Sequence, residues 1–212
     1  MRLSNRFEKH VLVAAAVAMG ATAAANAAVV YSGIVNFSCA IDIDGTYINV
    51  ETGQLTNGPG TGVPGWDVNP YRATTGSGMN FFNSTGGGQM RFPGVTTGTA
   101  GNLALGTVIG ATGSFNTSTA TVVFGSAAGN WQYASNNIVG FRFVSSAGTT
   151  HYGWMRFLMG SQPATGNLVT RTVVDFGYES VAGESIAAGA VPAPGALALL
   201  GVAGLVGKRR RR

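Results

Sequence analysis

Along most of this chain apolar and polar residues alternate singly; few stretches repeat every three or four positions. Period-two patterning buries one face of an extended strand and wets the other. Tyr31, Gly33, Val35, Phe37, Cys39, Ile41 and Ile43 hold alternate positions, with Ser32, Asn36, Ser38 and Asp42 between them. The pattern predicts one long strand with a wet face. Asp44-Gly45 supplies a turn after it, and residues 47–50 predict a second strand. Residues 119–124 are rich in β-branched side chains and predict another. Residues 138–144 place Val139, Phe141 and Phe143 on one face. After the turn at 145–149, residues 151–159 return as the hairpin partner. From 169 to 178 the alternation sets Thr170, Thr172, Val174, Phe176 and Tyr178 against Arg171, Val173 and Asp175.

Residues 52–65 and 73–102 are rich in Gly, Thr, Ser and Asn, which predicts long loops or irregular edge strands. No internal repeat is found, and no space is left for crossover helices. The expected class is all-β: an antiparallel β-sandwich of jelly-roll-like form. An N-terminal signal helix and a short transmembrane-like C-terminal helix flank it.

Both ends break the alternation with unbroken apolar runs. Arg2, Arg6 and Lys9 precede an apolar stretch at 11–19, then small residues ending at Ala25, Asn26 and Ala27. That order reads as a secretory signal cut after Ala27 by signal peptidase, following export by the Sec machinery. The alternative is a buried N-terminal helix. At the other end Val191, Pro192, Ala193 and Pro194 precede an apolar stretch at 195–207, closed by Lys208, Arg209, Arg210, Arg211 and Arg212. Thirteen apolar residues fall short of the roughly 20 of a permanent span. Prolines at a helix start are tolerated, and terminal cations hold that end on the cytoplasmic side. These features predict a temporary membrane hold; a plain C-terminal anchor is the alternative. The chain divides into a signal peptide at 1–27, a β-sandwich domain at 28–190 and a sorting tail at 191–212.

Charge changes the picture only after this division. The chain is formally +5, but eight of its thirteen cations lie in the two ends. The body keeps five arginines against seven acidic residues, so nothing in it steers a nucleic acid.

The C-terminal arrangement of Val191-Pro-Ala-Pro194, an Ala/Leu/Gly-rich helix and a basic cluster resembles the PEP-CTERM sorting signal, with Ala193 standing where that tripeptide most often has Glu. The resemblance implies recognition by an exosortase and removal of the tail near the motif. It also implies a Gram-negative host that makes extracellular polysaccharide and biofilm. Within the body, the runs 44–53, 64–71, 140–143, 151–154, 176–179 and 183–189 resemble a group of uncharacterised exported PEP-CTERM proteins. No activity comes with that likeness.

Candidate chemistry in the body is sparse. His151 is its one histidine and Cys39 its one cysteine, and it has no lysine. A multi-His zinc site, a Schiff-base lysine and an internal disulfide are thereby excluded. No Gly-x-Ser-x-Gly elbow accompanies His151, which reads as a hairpin residue bonded near its turn. Cys39 reads as a small buried hydrophobe, with a link between two chains as the alternative. Asp42, Asp44 and Glu51 around Gly45 suggest either a solvated turn or an irregular Ca²⁺ site, since hard cations gather several oxygens in one loop. Trp66, Asp67, Asn69 and Tyr71, with Trp131 as a second place, combine aromatic platforms and polar fingers suited to sugar faces; core packing is the competing view. The sequence favours a non-enzymatic structural protein of the cell surface or matrix. An exopolysaccharide-binding module comes second. A matrix glycoside hydrolase using two of Asp42, Asp44, Asp67 and Glu51 across one cleft comes third.

Overall fold

A computed structural model describes residues 28–72, 78–82, 88–92, 98–125, 129–164 and 168–192. The protein is all-β in these residues. The strands are β1 (Val29–Tyr31), β2 (Phe37–Ser38), β3 (Thr46–Asn49), β4 (Gln54–Asn57), β5 (Asn69–Tyr71), β6 (Asn80–Phe82), β7 (Gln89–Met90), β8 (Thr99–Ala100), β9 (Val108–Ile109), β10 (Ala120–Val122), β11 (Asn136–Val144), β12 (Thr150–Met159), β13 (Arg171–Glu179) and β14 (Ile186–Ala187).

The predicted hairpin is the centre of the molecule. β11 and β12 pair from Asn136↔Leu158 to Val144↔Thr150 and sit within a sheet ordered β1-β13-β12-β11-β7, with β2 also on β13. Val139, Phe141, Phe143, Met155 and Phe157 share one face and are fully buried. A second sheet, ordered β5-β6-β10-β8, covers that face: Phe81 meets Phe157 edge-on with ring centroids 5.6 Å apart. Most pairings are antiparallel, but β8 and β10 run parallel. The other face of the hairpin is also covered. Tyr152, Trp154 and Ile138 pack with Phe115 and with the β9–β14 ribbon through Ile109 and Ile186. Burial on both faces explains why β11 and β12 carry near-continuous apolar runs. Past β14 the chain is tied down by Trp154, whose indole N–H donates to the Ala190 carbonyl at 3.0 Å.

The long first strand is not formed. Gly33 and Asn36 take left-handed backbone angles (φ +70° and +46°), which break it into β1 and β2. Both pieces pair with β13. Between them the Val35 and Asn36 N–H groups both donate to the Val174 carbonyl, at 2.8 and 3.2 Å. Val174 is the extra residue of a β-bulge: Arg156 faces Asp175 while Phe157 faces Val173. The bulge reverses the alternation predicted for this strand. Arg171 and Val173 face the main core, but beyond the bulge Phe176 and Tyr178 do, and Asp175 turns to the opposite face.

The Asp44-Gly45 turn does not join two paired strands either. β3 pairs with β4, which lies inside the segment predicted as loop. Gly45 has φ +70°, and a Cβ there would run into the Pro70 carbonyl oxygen and Tyr71. Only glycine fits this approach of the β3 ribbon to β5. Residues 73–102 supply the short strands β6, β7 and β8; β7 and β8 lie at sheet edges, as expected, whereas β6 lies inside its sheet between β5 and β10.

Candidate functional site

A cleft of about 730 Å³ is lined by Asn49, Glu51, Thr52, Pro64, Gly65, Trp66, Asp67, Val144, Ser145 and Ser146. Three chain segments build it: the β3–β4 turn, the stretch leading into β5, and the turn of the β11–β12 hairpin. Asn49 fixes the first two. Its Nδ2 donates to the Pro64 and Gly65 carbonyls at 2.9 and 3.1 Å, and its Oδ1 accepts from Thr52 N–H at 2.9 Å. The Ile48↔Val68 bridge adds backbone bonds, including Asp67 N–H to the Ile48 carbonyl at 2.8 Å. Glu51 ties in the third segment by accepting from Ser146 N–H at 2.7 Å and from its hydroxyl at 3.3 Å.

Asp67 is 4 % exposed, and its Oδ2 accepts from Val50 N–H at 2.9 Å. Burial pushes its carboxyl up to about 7, the Val50 N–H opposes this, and the nearby Glu51 charge raises it further. Among the described residues, neither lysine nor arginine lines the cleft. Its polar surface is therefore two carboxyl groups, an amide and three hydroxyls.

Trp66 is half-buried in the cleft wall and belongs to an aromatic row. Tyr47 meets it edge-on at 5.1 Å, Phe82 lies 6.2 Å from it, and Tyr71 meets Phe82 edge-on at 6.1 Å. Phe82 is 47 % exposed, and Tyr71 is half-buried. The row lies on the side of β5 and β6 away from the core, because Phe81, its neighbour in β6, points inward.

The predicted sugar-binding residues thus separate. Trp66 and Asp67 share the cleft, and Tyr71 extends the aromatic surface beyond it. Asn69 is structural: it is buried, and its Nδ2 donates to the Asp44 and Thr46 carbonyls at 2.9 and 3.2 Å. Trp131 is completely buried between Phe81 and Phe157 and donates to the Ala100 carbonyl at 2.8 Å, so it offers no platform to a ligand.

The predicted calcium set is not gathered. Asp42 accepts from Gly45 N–H at 2.7 Å, closing a local turn at one end of β3, while Glu51 lies beyond the other end on the cleft. Among the described residues no group of three or more His, Cys, Asp and Glu side chains could hold a metal ion. His151 bonds Thr149 Oγ1 at 3.0 Å and the Glu179 carbonyl at 2.8 Å, as a hairpin residue. Cys39 is buried, and burial raises its thiol above the ordinary range, so it is not presented to a second chain. Of the predicted sorting motif, Val191 is exposed and Pro192 half-buried. Ala25, Ala27, Ala193, Pro194, Lys208, Arg209, Arg210, Arg211 and Arg212 lie outside the described residues. Among those described, no helix is long and apolar enough to cross a membrane.

Asn49, Ser146, Tyr47 and Phe82 were missed as site residues. Ser146 stands 95 positions from Glu51, and no local signal connects them. Comparison with family models, curated proteins and solved structures finds no match for this chain.

Proposed function

We propose that this is an exported cell-surface or matrix protein whose body, a jelly-roll-like β-sandwich, binds neutral polysaccharide in the Trp66 cleft. The observation that carries the reading is the half-exposed Trp66 in the wall of a cleft whose other groups are carboxyl, amide and hydroxyl. An indole face packs on the C–H face of a pyranose, and such groups take up its hydroxyls. The Tyr47–Trp66–Phe82–Tyr71 row is long enough to meet more than one sugar of a chain. With the Glu51 carboxylate in the lining and no Lys or Arg among its described residues, uronate and sulfated polymers are repelled. Calorimetric titration of the chain from Ala28 with soluble neutral polysaccharides, against a polyuronate control, tests the proposal. Equal binding of both polymers, or of neither, sinks it.

The route to the surface is proposed from the ends of the sequence. Signal peptidase cuts after Ala27, the basic tail holds the protein at the inner membrane, and an exosortase processes the chain near Val191–Pro194. Intact mass of the protein from the host's surface and medium, with both termini sequenced, tests this. A tail retained through Arg212 makes the C-terminus a plain anchor.

One observation favours hydrolysis of the same polymer as a second reading. Glu51 and Asp67 line one cleft, and Asp67 holds its proton to about pH 7, as a general acid beside a carboxylate must. Release of reducing ends from a bound polymer, lost in D67N, would establish it.

A further inference from the structure

Glu179 ends β13 as a buried carboxylate, 3 % exposed. Among the described residues no lysine, arginine or histidine forms an ion pair with it; the one such pair is Arg156 with Asp175. A buried carboxylate without a countercharge is costly, so its surroundings matter. Its Oε1 accepts from Val181 N–H at 3.0 Å, from the Ser180 hydroxyl at 3.4 Å and from the backbone nitrogen of Ala28 at 2.9 Å. The rest of the Ala28 backbone is fixed as well. The Ala28 carbonyl accepts from Ser180 N–H at 3.0 Å, and the register then runs Val29↔Glu179, Val30↔Tyr178 and Tyr31↔Gly177.

The signal sequence places the scissile bond between Ala27 and Ala28. Hydrolysis adds one water across that amide. Ala27 keeps the new carboxylate, and the Ala28 nitrogen takes up the protons to become a primary ammonium. The atom whose charge changes from zero to +1 is therefore the one already bonded to Glu179.

We infer that Glu179 is the acceptor site for the α-ammonium of the mature chain, so that removal of the leader converts a neutral donor into an ion pair that locks β1 onto the edge of the main sheet. The inference rests on the cleavage position proposed above. It goes further by giving the cut a consequence in the body: β1, three residues long and paired among the described residues with β13 alone, is the strand the new charge secures. Hydrogen bonds to charged groups contribute about twice as much as neutral ones, and more where water is excluded.

The test compares the chain from Ala28 to Arg212 with a free amine against the same chain acetylated at the Ala28 nitrogen, each with Glu179 and with E179Q. Acetylation keeps an N–H donor and removes the charge. With Glu179, acetylation should raise the unfolding equilibrium constant roughly 10-fold. It should also speed amide hydrogen exchange in Val29–Tyr31 by a similar factor, a readout that stands if E179Q folds poorly. In E179Q the difference between free and acetylated chains should vanish. Equal stability and exchange of the two Glu179 chains overturns the inference while leaving the export route intact. A native N-terminus other than Ala28, found by sequencing the exported protein, overturns both.

Discussion

Asp175 sits directly across from Arg156 on the neighbouring strand, one residue beyond the extra Val174, and accepts from Arg156 Nε at 2.7 Å. A second contact joins Arg156 Nη2 to Asp175 Oδ2, which also accepts from the Tyr31 hydroxyl at 2.8 Å. The carboxylate is completely buried and the guanidinium is partly exposed, with its carbon 5.9 Å from the Trp154 ring centre. The pair raises the Arg156 value still further, and burial together with the Asp175 bond raises that of Tyr31. The bulge makes this arrangement: were Val174 paired in regular alternation, Asp175 would share the face of Val173 and point into the main core.

Breaking that pair from the buried side should be costly. D175A leaves a guanidinium and a tyrosine hydroxyl without their acceptor, and should destabilise the protein by roughly 3 kcal/mol in urea unfolding. Y31F removes only one neutral donor and should cost about 1 kcal/mol. If D175A costs no more than Y31F, the pair is not a structural element.

Two tryptophans should behave oppositely. W66A should fold with nearly the parent stability and lose at least about 10-fold in affinity for the neutral polysaccharide, as stacking platforms do. W131A removes a fully buried ring bonded to the Ala100 carbonyl, and should cost about 3–5 kcal/mol. Unfolding curves and calorimetry on both variants check this. Unchanged binding in a folded W66A would refute the proposed site.

Asp67 should give the protein a measurable pH dependence. Its folded-state value of about 7 lies above the roughly 3.9 of an exposed aspartate. Between those values the folded protein keeps a proton that the unfolded chain has released. Asp67 therefore makes stability fall as pH rises from about 4 to about 7, with no further contribution above. D67N keeps an oxygen for Val50 N–H and cannot ionise, so its melting temperature should gain on the parent across that window. Parallel profiles from pH 4 to 8 would show that Asp67 does not retain its proton.

Gly45 should resist substitution and Gly53 should not. Both have left-handed backbone angles, φ +70° and +71°. A Cβ at Gly45 meets Pro70 and Tyr71, whereas one at Gly53 meets nothing within 4 Å. G53A should cost only the backbone penalty of about 1–2 kcal/mol. G45A adds a clash that cannot relax without moving β5, and should cost clearly more in the same unfolding assay.

The β class, the β11–β12 hairpin with its buried face of Val139, Phe141 and Phe143, the turn role of His151 and the burial of Cys39 were all legible in the sequence. Each of these depends on local alternation or on turn residues a few positions apart, and the hairpin contacts are local in the chain. Features that depend on distant pairing were set by the three-dimensional fold. The break at Gly33 and Asn36 and the bulge at Val174 are one event, because the broken strand donates twice to the Val174 carbonyl. Periodicity within either segment carries no trace of it. The same holds for the cleft: Glu51 and Ser146 meet across 95 positions, and Trp66 is a surface residue while Trp131 is core. Two tryptophans flanked by similar polar residues look alike in sequence, since burial is set by which sheet face lies above each ring.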